Sequence, residues 1–281
     1  MLKKLYRFSQ SWIGTIIIVL FIICFLAQAY IIPSGSMKNT LLVGDFLFGK
    51  KFSYGIPIPH LPWVELPLLP DFNKNGHLIK GEGPKRGDIV IFRNPLNPKV
   101  YFVKRCVGVE GDEIIYSNKT LYISMAEGED YMKANYDKND LITINNKIFV
   151  KEPYKQAGIH NDDNSNIEYN MIISSINGLL AMKPIIIDGF GEINQSGGNA
   201  YQYIVEKDNY FMMGDNRDHS NDSRFWGSVE YKYIVGQPWF VYFSIDEDYN
   251  IRWDRIGRFV DTLQNNKKFI KKHSSNFDDL E

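Results

Sequence analysis

Residues 8–37 read FSQSWIGTIIIVLFIICFLAQAYIIPSGSM, thirty positions without a charge that end in Pro33-Ser34-Gly35-Ser36-Met37. Two small hydroxyl residues, separated by a glycine, stand within four residues of the end of a membrane-length apolar segment. Four residues of fully extended chain reach at most ~13 Å. Chemistry done by Ser34 or Ser36 therefore takes place close to a bilayer surface, on something presented at a membrane.

Inside this stretch, residues 13–32 form a run of twenty in which only Thr15 and Gln28 are strongly polar. As a helix it would span roughly 30 Å, the thickness of a bilayer's hydrocarbon core. Lys3, Lys4 and Arg7 precede it, so the positive-inside rule places a short N-terminus in the cytoplasm and the rest of the chain on the outer face. A basic start, an apolar core and Ala27-Gln28-Ala29 also describe a cleavable secretory signal peptide. Both readings export the remainder and differ only on whether it stays tethered. The motifs further along favour the tether.

About 250 residues follow the apolar run, enough for one large domain or two modest ones. With 32 basic and 33 acidic residues there is no electrostatic footprint of nucleic-acid binding. Cys24 lies in the apolar run and Cys106 in a strand-like stretch, so they are not expected to pair, and the exported part must be held by its core. No Cys/His cluster has zinc-ligand spacing, and His60, His77, His160, His219 and His273 are scattered. No cofactor and no metal are expected.

Strand patterns dominate the exported part: 41–50 entered through a turn, 87–92, 100–109, 210–213 and 235–244. Asn94-Pro95-Leu96-Asn97-Pro98 is a turn signal between two of them. The proline-rich run 56–70 forbids an interior strand or helix. It reads either as a loop folded on the domain or, through Leu61 and Trp63, as a segment resting on lipid headgroups. Residues 116–204 are richer in Asn, Asp, Lys and Gly, with short β patterns that include a hairpin over 141–150 turning at Asn145-Asn146. The only helix suggested is one in the polar tail after Arg255.

Period-two alternation over 101–108 puts Phe102, Lys104, Cys106 and Gly108 on one strand face. A lysine flanked there by Phe and Cys is a candidate for burial, which favours the neutral amine. A free lysine, with a pKa of about 10.4, is neutral in only about one molecule in a thousand near pH 7. The competing reading is a lysine that snorkels from a strand end or pairs with an acid. Residues 213–224, MGDNRDHSNDSR, form a polar loop rich in side-chain-to-backbone bonds. A calcium loop over Asp218, Ser220 and Asp222 lacks the glycine and closing glutamate of an EF-hand. A triad through His219 lacks a G-x-S-x-G elbow.

Four segments in this order resemble bacterial type I signal peptidases. They are Pro33-Ser34-Gly35-Ser36-Met37; Gly44-Asp45-Phe46; Lys104-Arg105 with Gly108 and Gly111-Asp112; and Gly214-Asp215-Asn216-Arg217-Asp218 through Asp222-Ser223-Arg224. The resemblance covers 1–115 and 205–245 and says little about 116–200. It implies a mainly β fold: an N-terminal transmembrane helix, then an exported β-sheet catalytic domain with an inserted, smaller β-rich region. The implied division is a cytoplasmic N-terminus (1–12), an anchor (13–32), a catalytic domain (33–115 with 205–255), an insert (116–204) and a polar tail (256–281).

By the same resemblance Ser36 is the nucleophile, Lys104 the general base and Ser34 an oxyanion donor beside the Ser36 amide, while Ser220 orients the lysine. Asp222 and Arg224, two residues apart, are expected to form a structural ion pair, and Arg105, on the strand face opposite Lys104, to pair with Asp215. The implied activity is removal of signal peptides after small residues by a single-pass inner-membrane serine endopeptidase, whose partners are exported preproteins and the lipid bilayer. Two rivals are a peptidase dedicated to one pilus or conjugation component and a non-enzymatic tethered binding module. Lys38-Asn39-Thr40 stands where many relatives carry a proline, and the one span and absent disulfide differ from some relatives.

Overall fold

The computed structural model describes residues 2–60, 65–162, 165, 167–267 and 269–270. Leu61 and Trp63, on which the lipid-contact expectation for the proline-rich run falls, lie outside the described residues, whereas the helix expected in the tail after Arg255 is present over Val260–Asn265. In chain order the strands are β1 (Ala27–Ile31), β2 (Asp45–Lys50), β3 (Gly55–Pro57), β4 (His77–Lys80), β5 (Ile89–Asn94), β6 (Asn97–Gly108), β7 (Glu113–Ser117) and β8 (Thr120–Ser124). They continue with β9 (Leu141–Ile144), β10 (Lys147–Lys151), β11 (Lys183–Ile185), β12 (Ala200–Ile204), β13 (Asn209–Met213), β14 (Val229–Glu230) and β15 (Ile234–Ser244). The helices are α1 (Leu2–Ser9), α2 (Trp12–Phe21), α3 (Glu129–Asn135), α4 (Ile167–Ile176), α5 (Ser223–Trp226) and α6 (Val260–Asn265).

The mainly β expectation holds. A seven-stranded sheet runs β1-β2-β15-β5-β6-β13-β14, a six-stranded one β11-β12-β7-β8-β10-β9, and β3 pairs with β4 alone. The second sheet is built from residues 113–204, close to the expected insert. The two sheets share a core in which Val107, Phe211 and Met213 of the first pack with Ile114, Leu121 and Ile123 of the second. The hairpin at Asn145-Asn146 turns with φ of 49° and 64°, the left-handed pair of a type I′ turn that Asn tolerates. The three-residue β3 in the proline-rich run sits in the small sheet, where a missing N–H is tolerated.

The N-terminal segment departs from the single helix expected over 13–32. α1 and α2 are separated at Gln10-Ser11, and Ser11 caps α2 by accepting a hydrogen bond from the Gly14 amide at 3.0 Å. A π turn over Ile22–Leu26 continues α2, and the chain then becomes β1. The helical run over 12–26 is roughly 22 Å long, short of the ~30 Å hydrocarbon core. Among the described residues no helix is long and apolar enough to cross a membrane.

The reason is tertiary. A short apolar stretch suits helix and strand equally until a partner decides. Here β2 supplies one, in register from Ala27 opposite Lys50 to Ile31 opposite Phe46. Tyr30 then packs edge-on against Tyr101 of β6, with ring centroids 5.2 Å apart. α3 and α4 were invisible to the strand patterns, being short helices within an otherwise β-rich region.

Candidate active site

Ser36 sits in a single 3-10 turn, Gly35–Met37, between β1 and β2. The turn is fixed from both sides. Its own chain closes on it through Lys38 N–H to Gly35 C=O (2.9 Å) and Leu41 N–H to Met37 C=O (2.8 Å). From the polar loop after β13, the Asn216 backbone N–H donates to Ser36 C=O at 3.2 Å and the Asn216 side-chain amide donates to Gly35 C=O at 3.2 Å. The Asp215 N–H points at Met37 Sδ, 3.4 Å away.

Gly44-Asp45 secures the far end of the segment. Gly44 has φ +82°, and a Cβ there would lie 2.0 Å from the Ile245 carbonyl oxygen, so no other residue fits without a shift. Asp45, fully buried, accepts from Arg255 Nε (2.9 Å) and Nη2 (2.6 Å), from Ser244 Oγ (2.7 Å) and from the Leu42 N–H (2.8 Å). Arg255 also donates to Thr40 C=O at 3.1 Å.

Lys104 comes from the buried half of β6, whose face toward it carries Phe102 and Cys106 as the alternation requires. It is 4 % exposed. Its Nζ lies 2.5 Å from Ser36 Oγ, 3.2 Å from the Val103 carbonyl oxygen and 5.3 Å from the centre of the Phe102 ring. Burial pushes its pKa down to about 8; Asp222 and Asp215 oppose that shift and Arg224 assists it. The snorkelling alternative is thereby set aside, because the amine points into the protein.

Ser34 Oγ is 3.4 Å from Ser36 Oγ, on the exposed side of the turn. A Cβ on Gly35 would meet nothing within 4 Å, so open space lies beside the turn. Ser220 is buried beside the Asp222 carboxylate, and no hydrogen bond joins it to Lys104, whose amine bonds to Ser36 Oγ and the Val103 carbonyl. A Cβ on Gly214 would lie 2.4 Å from both Ser220 Oγ and the Ser36 carbonyl oxygen, which makes Gly214 the spacer between these two residues.

Both expected ion pairs are present and fully buried. Arg105 donates from Nε and Nη2 to the two carboxylate oxygens of Asp215, each at 2.7 Å, and Arg224 Nε donates to Asp222 Oδ1 at 2.9 Å. Thr40 Oγ1 adds a 2.6 Å bond to Asp215. Burial alone would raise Asp215; Arg105 and Thr40 hold it below the usual carboxylate range. Asp222 is likewise low, because Arg224 and the Gly214 N–H (3.0 Å) outweigh desolvation. Gly111-Asp112 is scaffold too. Asp112 accepts from Arg86 Nε (2.7 Å) and from the Val109 and Ala126 amides.

His219 bonds to Asp162 at 2.9 Å on the exposed side of the loop, and no bond joins it to Ser36. Thr40, Asn216 and Gly214 were not singled out as site residues, and each acts through contacts distant in sequence. A serine side chain, a buried amine poised to be neutral, and a hydroxyl at the open rim can together perform acyl transfer without histidine.

A family model described as "Signal peptidase, peptidase S26" matches residues 5–243. The chain belongs to the peptidase S26 signal peptidases. It is 44 % identical to a signal peptidase I of Helicobacter pylori strain J99, over 98 % of each chain. It is 35 % identical to one from Buchnera aphidicola subsp. Schizaphis graminum, covering 91 % of this chain and 82 % of the relative. A crystal structure of a signal peptidase I from Enterococcus faecalis, 24 % identical, covers 56 % of this chain and 97 % of its own, with a TM-score of 0.27. Membership of these peptidases makes the chain a hydrolase and sets aside the tethered binding module.

Proposed function

We propose that this signal peptidase is a membrane-tethered Ser–Lys endopeptidase that removes signal peptides from exported preproteins, with Ser36 as nucleophile and Lys104 as general base. The observation that carries this reading is the 2.5 Å approach of Lys104 Nζ to Ser36 Oγ in a pocket that lowers the lysine pKa to about 8. Neutral Lys104 takes the Ser36 proton as Oγ bonds to the scissile carbonyl carbon. Negative charge moves to the carbonyl oxygen, where Ser34 Oγ–H and the Ser36 N–H donate to it. The Lys104 ammonium then gives its proton to the departing amine as the C–N bond breaks. Water, deprotonated by the same amine, releases the signal peptide from Ser36.

Ser220 is assigned to orienting the lysine, and Arg105–Asp215 and Asp222–Arg224 to holding the loop that carries Ser220 and Asn216. The substrate binds as an added extended strand, with alternate side chains at positions −1 and −3 entering small pockets. β1 ends the seven-stranded sheet and offers an edge for it. Tethering is supported by Lys3 and Arg7 followed by α2, whose Trp12, Ile13, Ile16, Ile17, Leu20 and Phe21 are exposed. By the positive-inside rule that arrangement supports a catalytic part on the outer side of the inner membrane. Near-full-length similarity to a protein named signal peptidase I favours a broad range of preproteins over one dedicated substrate.

The test is cleavage of several unrelated preproteins by wild type, Ser36→Ala and Lys104→Ala, with unfolding curves to confirm that each variant is folded. Loss of cleavage in both folded variants is expected. A folded Lys104→Ala that kept most of its activity would overturn the proposal.

A further inference from the structure

A cavity of about 840 Å³, inside the roughly 300–1,000 Å³ range of ligand clefts, has Ser220 in its wall. Its walls are α4, residues 178–181, the loop 218–221 and α5, with Leu96 at the tip of the β5–β6 hairpin. We propose that this cavity receives the mature side of the preprotein, the residues that follow the cut bond. The proposal rests on the Ser36–Lys104 reading of the site and adds to it where the leaving half of the substrate goes.

Three observations place that segment here. Ser220 is a wall of the cavity, and only the width of Gly214 separates it from the Ser36 carbonyl, so the cavity adjoins the catalytic turn. β6 divides the surroundings. Val103 belongs to the cluster of Ile32, Met37 and Ile91 on one face, whereas Phe102, on the lysine's face, packs 6.5 Å from Trp226, which lines the cavity. A peptide leaves the scissile bond in two directions. The β1 edge accommodates the signal half, and this cavity lies on the remaining side.

The chemistry of the lining also selects a peptide. At the end adjoining the catalytic turn the wall carries the polar residues Asp218, Ser220 and Asn221, and α4 contributes Asn170 and Ser174. Polar side chains of this kind pair with the N–H and C=O groups of a peptide, which a lipid acyl chain does not offer. Further out, Leu96 and Leu179 are 74 % and 72 % exposed, and Leu180 and Phe225 lie behind them. That surface suits apolar side chains a few residues beyond the cut.

The test compares two synthetic peptides with the same signal half. One ends two residues after the cut; the other continues for six residues with apolar side chains at the third and fourth. Wild type is expected to show a kcat/KM for the long peptide at least roughly tenfold above the short one, the discrimination an apolar pocket provides. Ser174→Trp, which fills the cavity from α4, and Leu179→Asp, an exposed position with no demand on folding, should abolish that preference while cutting the short peptide at the wild-type rate. Equal cutting of both peptides by wild type, or retention of the preference by both variants, would overturn the proposal and leave the Ser36–Lys104 reading intact. So would variants that bind phospholipid vesicles more weakly yet keep the preference, since the cavity would then be a lipid site. If Ser36→Ala still cut both peptides, the catalytic reading would fall and this proposal with it.

Discussion

Arg105 holds both carboxylate oxygens of Asp215 at 2.7 Å, and each partner directly follows a residue of the site, Lys104 in one strand and Gly214 in the other loop. This fully buried pair therefore fixes the lysine-bearing strand against the loop that braces the Ser36 turn. Removing one partner leaves the other charged in a dry interior. Asp215→Asn is expected to destabilise the fold by about 3–5 kcal/mol, the usual cost of breaking a buried pair. Denaturant unfolding measures it; a loss below 1 kcal/mol would mean the pair is not holding the two segments.

Lys104 gives two pH dependences, one of activity and one of stability, and both rise with pH. The base must be neutral, so kcat/KM should rise with pH through about 8 and level above it. Lys104→Arg should lose roughly a hundred- to ten-thousandfold in rate, since a guanidinium keeps its proton at every working pH. An acidic limb near 10.5 would argue against a buried base, and one near 6.5 that vanished in His219→Ala would restore the histidine alternative.

Stability responds as well. The folded pKa is about 8 and the unfolded one about 10.4, so between them the unfolded chain binds more protons and stability rises with pH. Below pH 8 the penalty for charging the buried amine is fully present. Lys104→Met should therefore be more stable than wild type at pH 7, by on the order of 3 kcal/mol, with the advantage fading toward pH 10.5. Melting curves at the two pH values decide it, and an advantage independent of pH would point to packing instead.

Ser36 and Lys104 were legible because both lie in motifs whose local geometry is stereotyped: a serine turn after an apolar run, and a lysine whose neighbours two residues away share its strand face. Arg105 was legible as the opposite face of the same strand. Thr40 and Asn216 were not, since their roles depend on contacts made across some 180 residues of chain, Thr40 to Asp215 and Asn216 to Gly35. β1 was hidden for another reason. The stretch is equally apolar as helix or strand, and only its pairing with β2 selects the strand.

Ser34→Ala should lower kcat by roughly ten- to a thousandfold with little change in KM, because on the proposed reading its hydroxyl serves a charge that exists only in the transition state. Steady-state kinetics on one preprotein peptide separates the two constants. A change confined to KM would make Ser34 a substrate contact.

Gly214→Ala forces a methyl group to within 2.4 Å of both Ser220 Oγ and the Ser36 carbonyl oxygen. One of the two must move, and a displacement near 1 Å at reacting groups costs about a hundredfold in rate. The variant should fold yet turn over at least about a hundredfold more slowly. Wild-type kcat in Gly214→Ala would show that the turn tolerates displacement.

On the proposed reading, a protease that recognises small residues two positions apart faces a hazard in its own sequence, for Ala27-Gln28-Ala29 is such a site only a few residues before the proposed nucleophile. Here those three residues are held in β1, opposite Lys50, Gly49 and Phe48. Presenting them to Ser36 would mean stripping β1 from the sheet and folding the chain back on itself within the seven-residue reach from Ala29 to Ser36. Under that specificity the pairing of β1 with β2 would act as self-immunity, keeping the enzyme's own substrate-like sequence as part of its scaffold.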